Sequence, residues 1–493
     1  MNKSLLLVLL FSAGCMVGPK YHEPETAMPT QFEEGSFEEE SGVDLCQWWK
    51  QFDDPLLDSL IAEAAKANYD LRIALEKIEQ ARAQFRIEKS HLWPEIDLNA
   101  SAIRTRFSQN LFPSPPTPPT AAGAATTSGS NFFPRFLNVF QVGFDAIWEL
   151  DLWGKFRHGK KAAQYTWESM IEDAQTVLIS LISEVAVTYV NIRAVQKKIE
   201  LIKQKIKADE EELAITQALF QIGIDNETQY TTLISSVESD RASLPSLETS
   251  FKQNVFALAY LLGRQPEGLL DEFQEARPIP QSSDKVPVGL PSDLLRRRPD
   301  VRSAERQLAA ATEQIGSAIA DLFPHISLTG ISFGGGSQGS SVGFEGDELN
   351  HLFKWPSRTF SVGVNFNWKL LDFGNIRGRI AEQNSLQRQA LLNYEQTVIS
   401  SLKDVESALV AYFEEQKRKD SLTVKVMADR RTLEITERLV KIGLANELQV
   451  LEARKTLLDS ESSLVESQQF LAGDLIALYK AIGGDWCTAP TPP

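Results

Sequence analysis

The chain has 493 residues, a formal net charge of −16, 43% hydrophobic and 24% charged residues. That balance excludes a chain dominated by disorder, and the lack of any run of about 18–20 apolar residues excludes a helical membrane protein. The acidity excludes nucleic acid as a partner, because a phosphate backbone asks for a basic face. At roughly 150 residues per domain the first expectation is a soluble, acidic protein of three domains.

In chain order, the first element is an address. Lys3 starts it, Leu5 to Phe11 form an apolar stretch, and Ser12-Ala13-Gly14 form a small-residue cleavage site. Cys15 directly after that site marks residues 1–14 as a bacterial lipoprotein signal. Its thiol takes a diacylglycerol, and several acyl chains anchor stably where one does not. Ser12 stands where leucine is usual, so an ordinary secretory signal is the alternative. Met16 rather than an aspartate follows, so retention at the inner membrane is not indicated. Three cysteines do not make a disulfide framework. With Cys15 acylated, Cys46 and Cys487 remain, as a pair or as two separate thiols.

The rest of the chain is one unit written twice. At an offset of 220, Trp148 falls on Trp368, Gly154 on Gly374, Gly223 on Gly443 and Asn226-Glu227 on Asn446-Glu447. Upstream the offset is 230: Asp70-Leu71-Arg72 meets Asp300-Val301-Arg302, and Trp93-Pro94 meets Phe323-Pro324. The difference falls in a Pro/Ala/Thr/Ser tract before Phe140, which reads as a loop, as does its counterpart GGGSQGSSVGFEGDELN. Each copy reads as helix, strand, loop, strand, very long helix, break and long helix.

After the aromatic-proline pairs the period changes from helical to two. Phe360, Val362, Val364, Phe366, Trp368 and Leu370 alternate with Ser361, Gly363, Asn365, Asn367 and Lys369. Val142, Phe144, Ala146 and Trp148 alternate with Gln141, Gly143, Asp145 and Glu149, and Ile96 to Ala102 do the same. Such runs suit strands with one apolar face, of the length a tilted membrane strand needs, with Trp148 and Trp368 at belt positions. Four strands cannot close alone in lipid. Two chains give about eight strands and three about twelve, both allowed barrel sizes.

From Lys155 to Ile222 no proline interrupts 68 residues, roughly 100 Å of helix. Ile192, Val195, Ile199, Ile202 and Ile206 form a heptad seam, continued by Leu213 and Phe220, with Asp209 and Thr216 between. Val426, Leu433 and Val440, with Asp429 and Thr436, repeat it in the second copy. Gly223 and Gly443 end these helices, and the chain returns as a second helix, interrupted at Pro245 in the first copy. The fold class is mainly α with β, a duplicated long-helix tunnel continued into an antiparallel β-barrel with four strands per chain. The divisions are a signal at 1–14, an extended segment at 15–60, repeats at 61–290 and 291–484, and a tail at 485–493.

These residues carry a resemblance. Cys15-MVGPKYHEP, the stretch Trp48-Trp49-Lys50-Gln51-Phe52-Asp53-Asp54-Pro55-Leu56-Leu57, GLPSDLLRRRPDVRSAE from Gly289, LWPEI, LFPHI, LDFG at Leu371 to Gly374 and the FQIG/VKIG tips resemble the outer-membrane factors of bacterial tripartite efflux pumps. They match the TolC-like family, especially its OprM-like, NodT-type lipoprotein branch. The resemblance implies a homotrimer with a twelve-stranded barrel in outer-membrane lipid and a periplasmic helical tunnel. A periplasmic adaptor and an inner-membrane pump, of the RND type, are the implied partners. The family's gating acid lies in a V-L-acid-A-basic stretch, here Val450-Leu451-Glu452-Ala453-Arg454, which implies Glu452 as gate and Leu448 as its apolar partner. The alternative for Glu452 is a solvated helix charge. Gln449, Val440 and Ala445 stand where the TolC branch carries an acid, an aromatic and a basic residue, so its locking network is not carried over. Adaptor contact falls on Gly223, Ile224, Gly443 and Leu444.

The implied function is a passive duct for drugs or other small toxic compounds, metal ions among them. The alternatives are a duct for type I protein secretion and a periplasmic coiled-coil scaffold without a pore. His22, His91, His158, His325 and His351 are scattered, read as loop or surface positions, and form no metal motif. There is no nucleotide or hydrolase fingerprint, so no enzyme, cofactor or metal is expected.

Overall fold

The computed structural model describes residues 16–26, 29, 47–106, 108, 136–280, 297–329 and 340–484. Cys15, Cys46 and Cys487 lie outside the described residues. The helices longer than five residues are α1 (Pro55–Ala67), α2 (Tyr69–Ser90), α3 (Lys155–Gln221), α4 (Glu227–Leu261), α5 (Pro299–Ala320), α6 (Asn375–Lys441) and α7 (Glu447–Ile482). The strands are β1 (Glu95–Arg106), β2 (Phe136–Leu150), β3 (His325–Thr329), β4 (Ser340–Gly346), β5 (Arg358–Ser361) and β6 (Gly363–Asn367). Thus α3 and α6 are 67 residues each, and the return helices α4 and α7 are 35 and 36 residues. Helix α4 runs through Pro245 without ending. The stretch read as extended gives way to helix at Pro55, where the Asp54 carboxylate accepts from the Leu56 amide at 2.9 Å.

The chain divides into two compact units, one built from residues 1–22, 82–164 and 309–388 and the other from 23–81, 165–308 and 389–493. The first holds all the described strands. They form an antiparallel sheet in which β1 and β4 lie along opposite edges of β2, β3 also pairs with β2, and β5 and β6 pair with β4 and β3. Leu328 of β3 faces Trp148 and Ser340 of β4 faces Ala146, so β3 and β4 share one edge of β2 in nearly continuous register. The six segments therefore run as four lanes.

Residues 340–346 correct the reading of GGGSQGSSVGFEGDELN as a loop: Ser340–Gly346 is strand. Glycine-rich sequence has low β-propensity, but here the close approach of two backbones needs it. Gly343 lies opposite Gly143, and a Cβ on either would press on the other's Cα.

A second correction concerns His158, which is buried inside α3 rather than on a surface or loop. Its Nδ1 meets the Glu313 carboxylate at 2.5 Å and its Nε2 lies 3.0 Å from the Val17 carbonyl. A side chain on Gly316 would collide with the imidazole, so that glycine makes room for it. The two tryptophans placed at belt positions have a further task. Trp148 Nε1 donates to the Leu92 carbonyl at 3.2 Å and Trp368 Nε1 to Leu322 at 3.1 Å, tying each strand to the end of the helix before it, identically in both repeats.

The second unit is helical. Its core gathers Leu178, Ile182, Val185, Tyr189 and Ile192 of α3, Leu258 and Leu262 from the end of α4, and Leu475, Ile476 and Tyr479 of α7. One window of α3 has a mean hydropathy of 1.5 over 18 residues, but 67% of it is buried within the chain, so it packs a core. Trp48 stacks on Tyr479 at 5.1 Å, and the Tyr189 hydroxyl donates to Asp54 at 2.5 Å. The Trp48–Leu57 motif is therefore a plug seated on the helices.

Arg298 explains part of GLPSDLLRRRPD. It donates to the Ala481 carbonyl at 3.0 Å and pairs with Asp300 at 2.7 Å and Asp404 at 3.3 Å. Arg298→Ala strands that helix-end carbonyl and two carboxylates, and is expected to cost about 3 kcal/mol. Thermal unfolding with Arg298→Lys beside it checks this, the lysine variant losing less.

Candidate functional site

The sheet has two chemically distinct faces. Leu98, Phe144, Val342 and Phe360 lie opposite one another across all four lanes and are all exposed. Ala100, Val142 and Phe344 form the next row, and Trp148, Leu328 and Val364 another. The reverse face is polar. Asp97 lies opposite Asp145, and the Asn99 amide donates to Asp145 at 2.5 Å. Glu149 meets His325 at 2.8 Å. One face thus suits hydrocarbon and the other an aqueous, cation-attracting passage.

In the helical unit the two tips are alike. Gly223 and Gly443 have φ of 76° and 77°, which a side chain rarely adopts. Their amides bond back to Phe220 and Val440, both at 3.0 Å, while those of Ile224 and Leu444 reach Leu219 and Leu439. This is the Schellman closure of a helix. Asn226 and Asn446 then cap the return helices, the second with a full capping box to Gln449. The closures leave Ile224 and Leu444 exposed, so each tip presents an apolar side chain on a fixed turn.

Glu452 lies one turn beyond Leu448 on α7 and is exposed. It is not a lone charge. Lys455 Nζ lies 3.3 Å from Glu452, 2.5 Å from Glu212 and 3.3 Å from Asp209, which is wholly buried. Lys205 holds Asp459 at 2.9 Å and Asp240 at 3.4 Å, and Arg454 faces Glu211 at 3.8 Å. The candidate gate acid therefore belongs to a network joining α7 to α3 and α4. Lys455 is absent from the sequence reading. The clue was Asp209, a carboxylate in an apolar seam that demands a cation.

Burial, and then the neighbouring Asp240 carboxyl, push Asp209 up to about 6 against the pull of Lys455. Burial alone lowers the Lys455 ammonium. The hydrogen bond and charge of Glu212, with Glu452 and Asp209, nevertheless hold it above its ordinary value. With the folded pKa of Asp209 above its usual 3.8, the favourable linkage is complete below that value and is lost as pH rises through about 6. Asp209→Asn is therefore expected to raise stability by about 1–2 kcal/mol at pH 8 and to change little at pH 4. Paired melts at the two pH values check the sign.

The profile of the outer membrane efflux protein family matches the chain twice, over residues 60–264 and 290–484. The chain belongs to this family. The double match falls on the two halves that the internal offsets separate. This outer membrane efflux protein is 28% identical to nodulation protein T of Rhizobium leguminosarum bv. trifolii, over 97% of this chain and 96% of the relative. It is 28% identical to the toluene efflux pump outer membrane protein TtgC of Pseudomonas putida, over 99% and 96%. Among solved structures it superposes on the outer-membrane channel OprN with a TM-score of 0.81 and 28% identity, covering 96% of this chain and 100% of that one. By family and fold, the efflux protein is thus an outer-membrane duct of the class that combines a helical tunnel with a β-barrel.

Proposed function

We propose that three copies close their four-lane sheets into one twelve-stranded barrel and act as the exit duct of a tripartite pump. The open sheet carries this reading. Its apolar rows are exposed in a single chain, four lanes are half the smallest bacterial barrel of about eight strands, and lipid tolerates no free strand edge. The duct itself performs no catalysis; an inner-membrane pump of the RND type supplies the energy and a periplasmic adaptor docks on the tips at Gly223, Ile224, Gly443 and Leu444. Glu452, with Leu448, is the periplasmic constriction, its carboxylate 3.3 Å from the Lys455 ammonium. Cys15 carries the lipid anchor, and the repeats span 61–290 and 291–484.

The cargo class is drugs and other small toxic compounds, metal ions among them, in line with the toluene named for the Pseudomonas relative. Chemical crosslinking of detergent-extracted protein tests the assembly. A heat-modifiable trimer band is expected; a stable monomer contradicts it. Sensitivity of a deletion strain to a panel of solvents, drugs and metals then assigns cargo.

A further inference from the structure

One arginine stands in a row of the apolar face. Arg358 of β5 lies opposite Phe344, Phe344 opposite Val142, and Val142 opposite Ala100. The row is apolar apart from that last member. A cation on a hydrocarbon face asks for a counter-charge or a headgroup. Arg358 is exposed and has no carboxylate partner among the described residues.

The chain nevertheless fixes this guanidinium. The β4–β5 connection folds back on the sheet, with Leu352 buried over Gly346, where a Cβ would stand 3.3 Å from the Leu352 Cα. The Ser357 hydroxyl donates to the His351 carbonyl at 2.8 Å and closes the connection. Asp347, at its start, is taken up by His351 at 3.3 Å. The Arg358 guanidinium lies over the Trp355 ring, and its Nε donates to the Trp355 carbonyl at 3.2 Å. Stacking and that bond leave the Nη edge as a planar fork, the geometry that matches phosphate.

Beside the fork lies an apolar cavity of about 540 Å³, with Leu98, Phe144, Phe344, Phe353, Trp355 and Phe360 in its wall. That volume is in the range of ligand sites. Phe353 packs edge-on against Phe344 with ring centroids 5.7 Å apart, yet Phe353 is 70% and Trp355 75% exposed. An interfacial tryptophan anchors a barrel by itself; it does not need an arginine stacked on it.

Charge and position select the occupant. Further along β1 the same face carries Arg104, opposite Asn138, and Arg106, opposite Phe136. Both are exposed, and they lie 5.1 and 6.0 Å from the Phe136 ring. No acid stands on this face from Ala100 to Arg106 of β1 or from Phe136 to Val142 of β2. In a chain of net charge −16 this is a local excess of positive charge. The helices meet the sheet at its other end, where the Trp148 and Trp368 indoles hold the turns after α2 and α5. The helical tunnel of this class is periplasmic, so Arg104 and Arg106 mark the outer end.

We propose that this trough binds a phosphorylated lipid of the outer leaflet. The Arg358 fork takes its phosphate, and an acyl chain lies along Phe344, Phe353 and Phe360. Arg104 and Arg106 add positive charge at headgroup level. This rests on the barrel reading above and adds a ligand and its residues.

The test is native mass spectrometry of the full-length protein, extracted and delipidated in detergent. The probes are bis-phosphorylated lipid A, the same lipid without its phosphates, and inorganic phosphate. Wild type should hold lipid A about tenfold more tightly than the dephosphorylated lipid, and should not retain inorganic phosphate. Arg358→Gln should lose most of that preference while binding the dephosphorylated lipid as before, and Arg358→Lys should keep part of it. Trp355→Ala should weaken both lipids. Equal binding of the two lipids by wild type overturns the site, as does a preference unchanged by Arg358→Gln. Inorganic phosphate that displaces lipid A at equal concentration overturns the lipid as occupant. The same spectra report the oligomer. A trimer without the phosphate preference overturns the site and leaves the barrel standing; a monomer overturns the barrel reading and the site with it.

Discussion

Phe144→Arg should abolish most of the heat-stable oligomer in lipid while leaving the helical unit folded. Phe144 lies near the middle of β2, in the exposed apolar row with Leu98, Val342 and Phe360. If that face meets hydrocarbon, an arginine there costs about 2–4 kcal/mol per chain near the midplane, and a closed ring carries the cost once per copy. Ser101→Arg, on the polar face of β1, is the control and should assemble normally. Oligomer recovery after extraction, read beside far-ultraviolet circular dichroism, separates a failed barrel from a failed fold. Equal loss in both variants contradicts the assignment of faces.

Lys455→Ala should be strongly disruptive in the helical unit. It leaves buried Asp209 and half-buried Glu212 without their cation and releases Glu452. Removing one partner of a buried pair costs about 3–5 kcal/mol. The partial exposure of Glu212 places the expected loss near the lower end, at about 3 kcal/mol. The loss should be larger at pH 8 than at pH 5, because Asp209 takes up a proton below about 6 and no longer needs the ammonium. Lys455→Arg should keep most of the stability. Hydrogen exchange on α3 around Ala208–Thr216 is the direct readout, and protection unchanged by Lys455→Ala contradicts the network. If Glu452 forms the proposed constriction, the same variant should ease its opening, since it removes the lysine that links Glu452 to α3.

Much of this was legible from residue order because it is local. The 67-residue helices needed only the absence of proline together with a seam of apolar residues. The tips needed only glycine followed by asparagine. The strands showed through the alternation of Val142, Phe144, Ala146 and Trp148. Features that depend on distant partners were hidden. Ser340–Gly346 looks like a loop, because its glycines serve a backbone approach at Gly143 that no local pattern announces. His158 looks like an ordinary helix residue until Gly316 opens a pocket and Glu313 supplies a carboxylate. Lys455 is one of many lysines until α7 sets it against Asp209. The motif stretches read by resemblance also acquired physical content: Arg298 caps a carbonyl, Trp48 plugs a helical core, and LDFG caps α6 with Asp372.

Planar-bilayer recording of the purified, detergent-extracted protein tests the central claim most directly. Wild type should give discrete, cation-preferring conductance steps, as the acidic polar face of the sheet and, separately, the proposed Glu452 constriction predict. Glu452→Ala should raise the open fraction and weaken the cation preference. If neither protein conducts, the chain is not a duct, and the four-lane sheet and long helices serve a scaffold instead.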